Sequence, residues 1–210
     1  MIYTTVIWDV DGTLLDTHKG VINAVNTVLL GNGFTFLTKK EECILVGTPK
    51  IAGFFRKHCK VSDEQALALS RQYREEYKSR HLFEATTYDG ISDVMDTLQK
   101  RCVKQAIATM KRQDYATEIC EHFGFDKYCF PIIGADNDNK LTKADLIKRC
   151  LQTLNVTNLS STVMIGDTDG DKIAAETVGI DFIGVNYGFG FNNVAGYANT
   201  PLDILKLAGE

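Results

Sequence analysis

Apolar residues recur in two rhythms along this chain. A short continuous run, Tyr3 to Trp8, reads as a buried strand. After it the spacing turns helical: Val21, Ile22, Val25, Val28 and Leu29 fall on one face, and Gly31-Asn32-Gly33 ends the pattern. Thr38 to Val46 and Pro49 to His58 read as short helices around Gly47. Ser62 then opens a long helix through about His81, with Glu64 and Gln65 in its first turn. No strand candidate falls between Thr17 and Phe83. From Tyr88-Asp89-Gly90 onward, helices at Ile91 to Gln99, Asp114 to Phe123, Thr142 to Leu154 and Asp171 to Val178 alternate with strands at Val103 to Ala108, Tyr128 to Ile133, Thr162 to Ile165 and Phe182 to Val185. Such alternation predicts an α/β protein whose parallel sheet is covered by helices on both faces. The expected core is residues 1-16 and 84-210, and residues 17-83 are a helical insertion.

A chain of 210 residues is long enough for such a core with a smaller domain inserted. With 23 Lys and Arg against 27 Asp and Glu, the net charge of -4 gives no support for nucleic-acid binding, which works through excess positive charge. Cys43, Cys59, Cys102, Cys120, Cys129 and Cys150 lack both C-x-x-C pairs and paired histidine spacing, so reduced thiols in a cytoplasmic protein are the expectation. Met1 to Trp8 lacks the basic start of a signal peptide. No apolar run approaches the roughly 20 residues that span a bilayer, so no membrane partner is expected.

In an open parallel sheet, ligands bind beyond the carboxyl ends of the strands. After the first strand come Asp9 and Asp11, which point the same way if extended geometry persists, and Gly12, which lets an amide approach a ligand. Two carboxylates so close imply a metal, a divided acid and nucleophile role, or both. Thr109, Met110 and Lys111 follow the second core strand. Gly166, Asp167 and, one helical turn later, Asp171 follow a third. Each has a structural alternative: turn residues at Asp9 and Asp167, a helix cap at Thr109 or Asp171, an exposed charge at Lys111. Neither acidic run fits a calcium loop. Gly12 is the fourth position of its match rather than the sixth, and Lys172 stands where the other would need glycine.

Taken together these residues resemble the haloacid dehalogenase superfamily of aspartate-nucleophile phosphatases. Its first motif, D-x-D-G-T, is similar to Asp9 to Thr13, its second to Thr109, and its fourth, G-D-x-x-x-D, to Gly166 to Asp171. Tyr88-Asp89-Gly90, Ala106 to Lys111, Ala174-Ala175 and Tyr187-Gly188-Phe189-Gly190 resemble the phosphoglycolate phosphatase-like branch. The third motif departs, because the K-P-x-P of many relatives is absent. The apolar positions Leu146, Ile147 and Leu151 favour Lys143 as its lysine, with Lys140 as the alternative.

The resemblance implies a Rossmann-like core with an all-helical cap, and hydrolysis of a small phosphorylated metabolite through an aspartyl phosphate. Asp9 would be the nucleophile, and Asp11 the acid and then the base. Mg²⁺ would be held by Asp9, Asp167 and the Asp11 backbone carbonyl, with Asp171 behind them. Thr109, Met110 and Lys143 would bind the phosphoryl group. Gly12, Lys111 and Gly47, the last in the cap loop with Thr48, Pro49 and Lys50, are candidate substrate contacts. A monomer or homodimer is expected. The alternatives are a phosphomutase of the same fold and a non-catalytic binding protein.

Overall fold

The computed structural model describes residues 3–46, 51–136 and 140–209. Gly47 and its neighbours Thr48 to Lys50 lie outside the described residues. In chain order the elements are β1 (Thr5–Trp8), β2 (Leu15–Asp16), α1 (His18–Gly31), α2 (Lys39–Val46), α3 (Ile51–Cys59), α4 (Asp63–Glu76), β3 (Thr86–Thr87), α5 (Ile91–Lys100), β4 (Lys104–Arg112), α6 (Gln113–His122), β5 (Ile132–Ala135), α7 (Lys143–Thr153), β6 (Thr162–Gly166), α8 (Asp169–Val178), β7 (Asp181–Gly184) and α9 (Asp203–Leu207). They form two compact units. Residues through Asp16 together with those from Thr86 onward make the first, and Thr17–Ala85 the second.

The first unit is built on a five-stranded sheet in the order β5-β4-β1-β6-β7, every pairing parallel. One face carries Ile7, Ala106, Ala108 and Met164, packed with Leu146, Ile147 and Cys150 of α7 and Ala174 and Ala175 of α8. Alternate residues face the other way, as a pleated strand requires. There the buried Trp8 indole donates to Gln105 Oε1 at 3.1 Å, and the Gln105 amide donates to the Met95 carbonyl of α5 at 2.9 Å. A glutamine is tolerated at that depth because both ends of its amide are satisfied. The β2–β3 pair is a small antiparallel addition with no apolar pattern to announce it.

Register sets the level of the site. Trp8 pairs with Ile107 on one side and Ile165 on the other, so Asp9 stands level with Ala108 and Gly166. The Asp9 amide continues the ladder, donating to Ile165 O at 2.9 Å. Chain order reverses beside β1, the topological position where open α/β sheets bind ligands.

Several expected boundaries move. β4 runs to Arg112 rather than stopping at Ala108, with a register irregularity against β5 on the way. Thr109 is therefore inside a strand and caps nothing; Arg112 stands at the N-cap of α6. β5 begins only at Ile132, after Pro131, whose lack of an N–H makes it a poor strand residue. Extended geometry also ends sooner than expected after β1: the Leu14 and Leu15 amides both donate to Val10 O at 3.0 Å, so the chain turns through Asp11 and Gly12.

The second unit packs Ile22, Val25, Val28 and Leu29 of α1 against Phe54 and Phe55 of α3 and Ala66 and Leu69 of α4. The Ser62 hydroxyl and Gln65 side chain form a reciprocal capping box at the start of α4, which passes at Glu76 into a π-helical turn, Tyr77–His81.

Candidate active site

Asp9, Asp167 and Asp171 are all buried, and each offers a carboxylate oxygen within 4.8 Å of the others. The Lys143 ammonium lies among them, paired with Asp9 Oδ1 and with Asp171 Oδ1 at 2.7 Å. Lys143 is delivered by a capping box, in which the Asp145 amide donates to Thr142 Oγ1 at 3.2 Å, making Lys143 the first residue of α7. Lys140 is exposed, its amide donating to Asp136 Oδ1 at 2.9 Å. Asp171 has a structural task as well. Its second oxygen accepts the Thr168 hydroxyl at 2.7 Å at the start of α8, so the cap and the contact with Lys143 use opposite sides of one carboxylate.

Three carboxyl groups face one ammonium, a formal excess of two negative charges when all three are ionised. Burial, together with the neighbouring carboxylates and against the pull of Lys143, holds Asp9 well above the usual carboxylate range. Lys143 stays charged: burial works against it, but Asp171 and Asp9 outweigh that and raise its pKa. Asp167 is pushed up to about 6 by burial, against two backbone hydrogen bonds. Those bonds come from the Phe189 and Gly190 amides, which donate to Asp167 Oδ2 at 2.7 and 3.3 Å. Asp167 Oδ1 is buried with no hydrogen-bond partner. An orphaned carboxylate oxygen inside an over-negative, all-oxygen cluster fits a hard divalent cation such as Mg²⁺.

Asp11 is not part of this triad. Its Oδ1 pairs with the Lys111 ammonium at 3.0 Å. The two carboxylates of the first motif thus pair with different lysines, although Asp11 still adds to the negative field on Asp9. Thr109 is buried at the strand end, its hydroxyl accepting from the Lys111 amide at 3.2 Å, and Met110 points out to solvent.

A model of the haloacid dehalogenase-like hydrolases matches residues 6–185. The chain belongs to that family. It is 31% identical over 191 residues to a 5'-nucleotidase of Pseudomonas aeruginosa, covering 90% of this chain and 85% of the relative. To a phosphoglycolate phosphatase of Caulobacter vibrioides it is 25% identical, covering 88% of this chain and 80% of that one. The solved structure of protein tyrosine kinase A from Mycobacterium tuberculosis superposes with a TM-score of 0.86 at 27% identity, covering 99% of both chains, although the chain spans only 62% of that kinase's full sequence. These relatives place this haloacid dehalogenase-like hydrolase among the phosphoric monoester hydrolases.

The loop after β7 had no role assigned from sequence. Gly188 lies so close to the Gly12 carbonyl and the Asp167 side chain that a Cβ there would collide with both. Tyr187 donates its hydroxyl to the Thr13 carbonyl at 3.2 Å and packs on Tyr88, ring centroids 4.7 Å apart. Two glycines flanking an aromatic residue just past a strand end were the available signal for a close backbone approach.

Gly12 is constrained twice. Its φ is +78°, and a Cβ would strike Asp167 Oδ2. Gly12→Ala should therefore cost about 1–3 kcal/mol in denaturant unfolding through backbone strain and overpacking, and should lower activity by displacing Asp167.

Proposed function

We propose that this hydrolase is a magnesium-dependent phosphatase that releases phosphate from a small phosphorylated metabolite, phosphoglycolate-like, sugar phosphate or nucleotide, through an aspartyl phosphate on Asp9. The observation that carries this reading is the buried cluster of three carboxyl groups around one ammonium, with an unpartnered oxygen on Asp167. Asp9, Asp167 and the Asp11 backbone carbonyl would hold the cation, with Asp171 retained on Lys143. When bound, the ion supplies the positive charge that lets a carboxylate approach a phosphate dianion.

The remaining steps belong to the chain's own groups. An Asp9 carboxylate oxygen bonds to phosphorus as the ester P–O bond breaks, and Asp11 gives its proton to the departing oxygen. Asp11, now a carboxylate, takes a proton from the water that attacks the phosphoaspartate, releasing phosphate and restoring Asp9. The Lys143 ammonium, the Thr109 hydroxyl and the Met110 amide are assigned to the phosphoryl oxygens, where fixed donors stabilise spreading negative charge. The insertion of residues 17-83 is assigned to substrate choice. A cytosolic setting agrees with the free thiols at Cys59, Cys102, Cys120, Cys129 and Cys150.

A panel of phosphate monoesters, including nucleoside monophosphates, phosphoglycolate and sugar phosphates, tests the reading. Phosphate release should fall at least about tenfold in chelator and return with Mg²⁺. Isomerised sugar phosphate without free phosphate would favour a mutase. Equal rates with and without chelator would overturn the metal assignment.

A further inference from the structure

We propose that Lys111 is a positioning residue for Asp11, holding the side chain of the acid–base group away from the Asp9–Asp167–Asp171 cluster and toward the leaving oxygen. The inference rests on the mechanism proposed above. It deepens that mechanism by assigning the lysine to the catalytic acid rather than to the substrate.

Lys111 Nζ is 3.0 Å from Asp11 Oδ1, and the two side chains differ in exposure: 7% for the lysine and 33% for the aspartate. The carboxylate is the part of the pair that a substrate can meet, and the ammonium backs it. A buried ammonium needs an acceptor, and Asp11 Oδ1 at 3.0 Å supplies one. Delivery of the lysine depends on β4. The strand continues past Ala108 with a register irregularity between Ala108 and Arg112, a feature that commonly re-aims a side chain beside an active site. Thr109 and Lys111, two residues apart in that strand, are linked by the bond from the Lys111 amide to the Thr109 hydroxyl, while the intervening Met110 is exposed. One strand end thus holds both a candidate phosphate ligand and the clamp on Asp11.

The consequence is a division of labour. Asp11 follows Asp9 by two residues, and four acidic side chains would otherwise compete for the same cation. Pairing with Lys111 keeps the Asp11 carboxylate out of the triad. Lys111 itself gives up no proton and forms no bond to phosphorus.

The test compares kcat/KM for alkyl phosphates, whose leaving oxygen needs a proton, with p-nitrophenyl phosphate, whose leaving group does not. Lys111→Met should lose roughly tenfold or more on the alkyl esters and less than about threefold on the aryl ester, with Lys111→Arg restoring part of the loss. Asp11→Asn should show the same leaving-group pattern, and the double variant should be no worse than Asp11→Asn alone, as expected of residues acting as a unit. An equal loss on both ester classes, or losses that add in the double variant, would overturn the inference while leaving the phosphatase mechanism standing. A wild-type enzyme inert toward every ester would overturn that mechanism and this inference with it.

Discussion

Asp9→Asn should reduce turnover by on the order of 10⁴-fold or more, because removal of a nucleophile abolishes the covalent route rather than weakening one contact. The amide nearly preserves the shape of the carboxylate, and Lys143 keeps Asp171 as a partner at 2.7 Å, so the fold should survive. Radiolabelled substrate quenched in acid should leave label on the wild-type protein and none on the variant. Label retained at another residue, or activity within about tenfold of wild type, would remove Asp9 from the role of nucleophile. The size of the effect separates Asp9 from the groups around it. In the proposed mechanism Thr109 and Met110 would each be one of several donors to the phosphoryl group, so their replacement would leave the chemical route open.

Asp167→Asn should have two opposed effects. Activity should fall at least about 100-fold, since even groups that only orient a metal ligand are worth 10–100-fold. Stability of the metal-free protein should rise at neutral pH. Asp167 has a pKa of about 6 in the folded protein against 3.8 for the free side chain. The folded state therefore binds the proton more tightly than the unfolded one, and stability falls as pH climbs from about 4 through 6. By pH 7 the loss amounts to about 2–3 kcal/mol at 1.36 kcal/mol per unit. Asparagine carries no charge to desolvate, and its NH₂ can occupy the position of the unpartnered Oδ1 while its oxygen keeps the Phe189 and Gly190 amides. In chelator, the variant should thus melt above wild type at pH 7.5 and converge with it near pH 4. Added Mg²⁺ should raise the melting temperature of wild type far more than that of the variant. A metal-free variant less stable than wild type at pH 7.5 would refute the electrostatic account of this cluster.

On the proposed reading, stability given up at Asp167 would be the cost of holding a carboxylate ready for a cation. Gly12 and Gly188 serve the same end sterically, since the space their missing side chains leave is filled by the Asp167 carboxylate and its backbone cradle. The site is held by strand ends and by loops that approach within contact distance of them, so a substitution in the loop after β7 acts on chemistry at β6.

Much of this was legible from residue order. Short continuous apolar runs and period-3.6 patterns located most of the core strands and helices, because a sheet covered on both faces buries whole strands and a helix buries one face. Glycine-flanked carboxylates at the strand ends marked Asp9, Asp11 and Asp167 because a parallel sheet presents its carboxyl ends together. Even Lys143 over Lys140 had a local sign, the Thr142 and Asp145 spacing of a capping box, although apolar spacing was what favoured it. Partnerships were beyond the sequence. Parallel pairing brings residues about 100 and about 160 positions apart to one level, and only the register of β1 with β4 and β6 decided that Asp9 stands beside Ala108 and Gly166. Side-chain direction after a strand depends on where the backbone turns. The turn at Val10 sent Asp9 to Lys143 and Asp11 to Lys111, two carboxylates that extended geometry would have pointed the same way. The amides that hold Asp167 are main-chain groups, identical at every position, so their place in the site is a property of the folded path of the chain and of nothing written in the side chains that carry them.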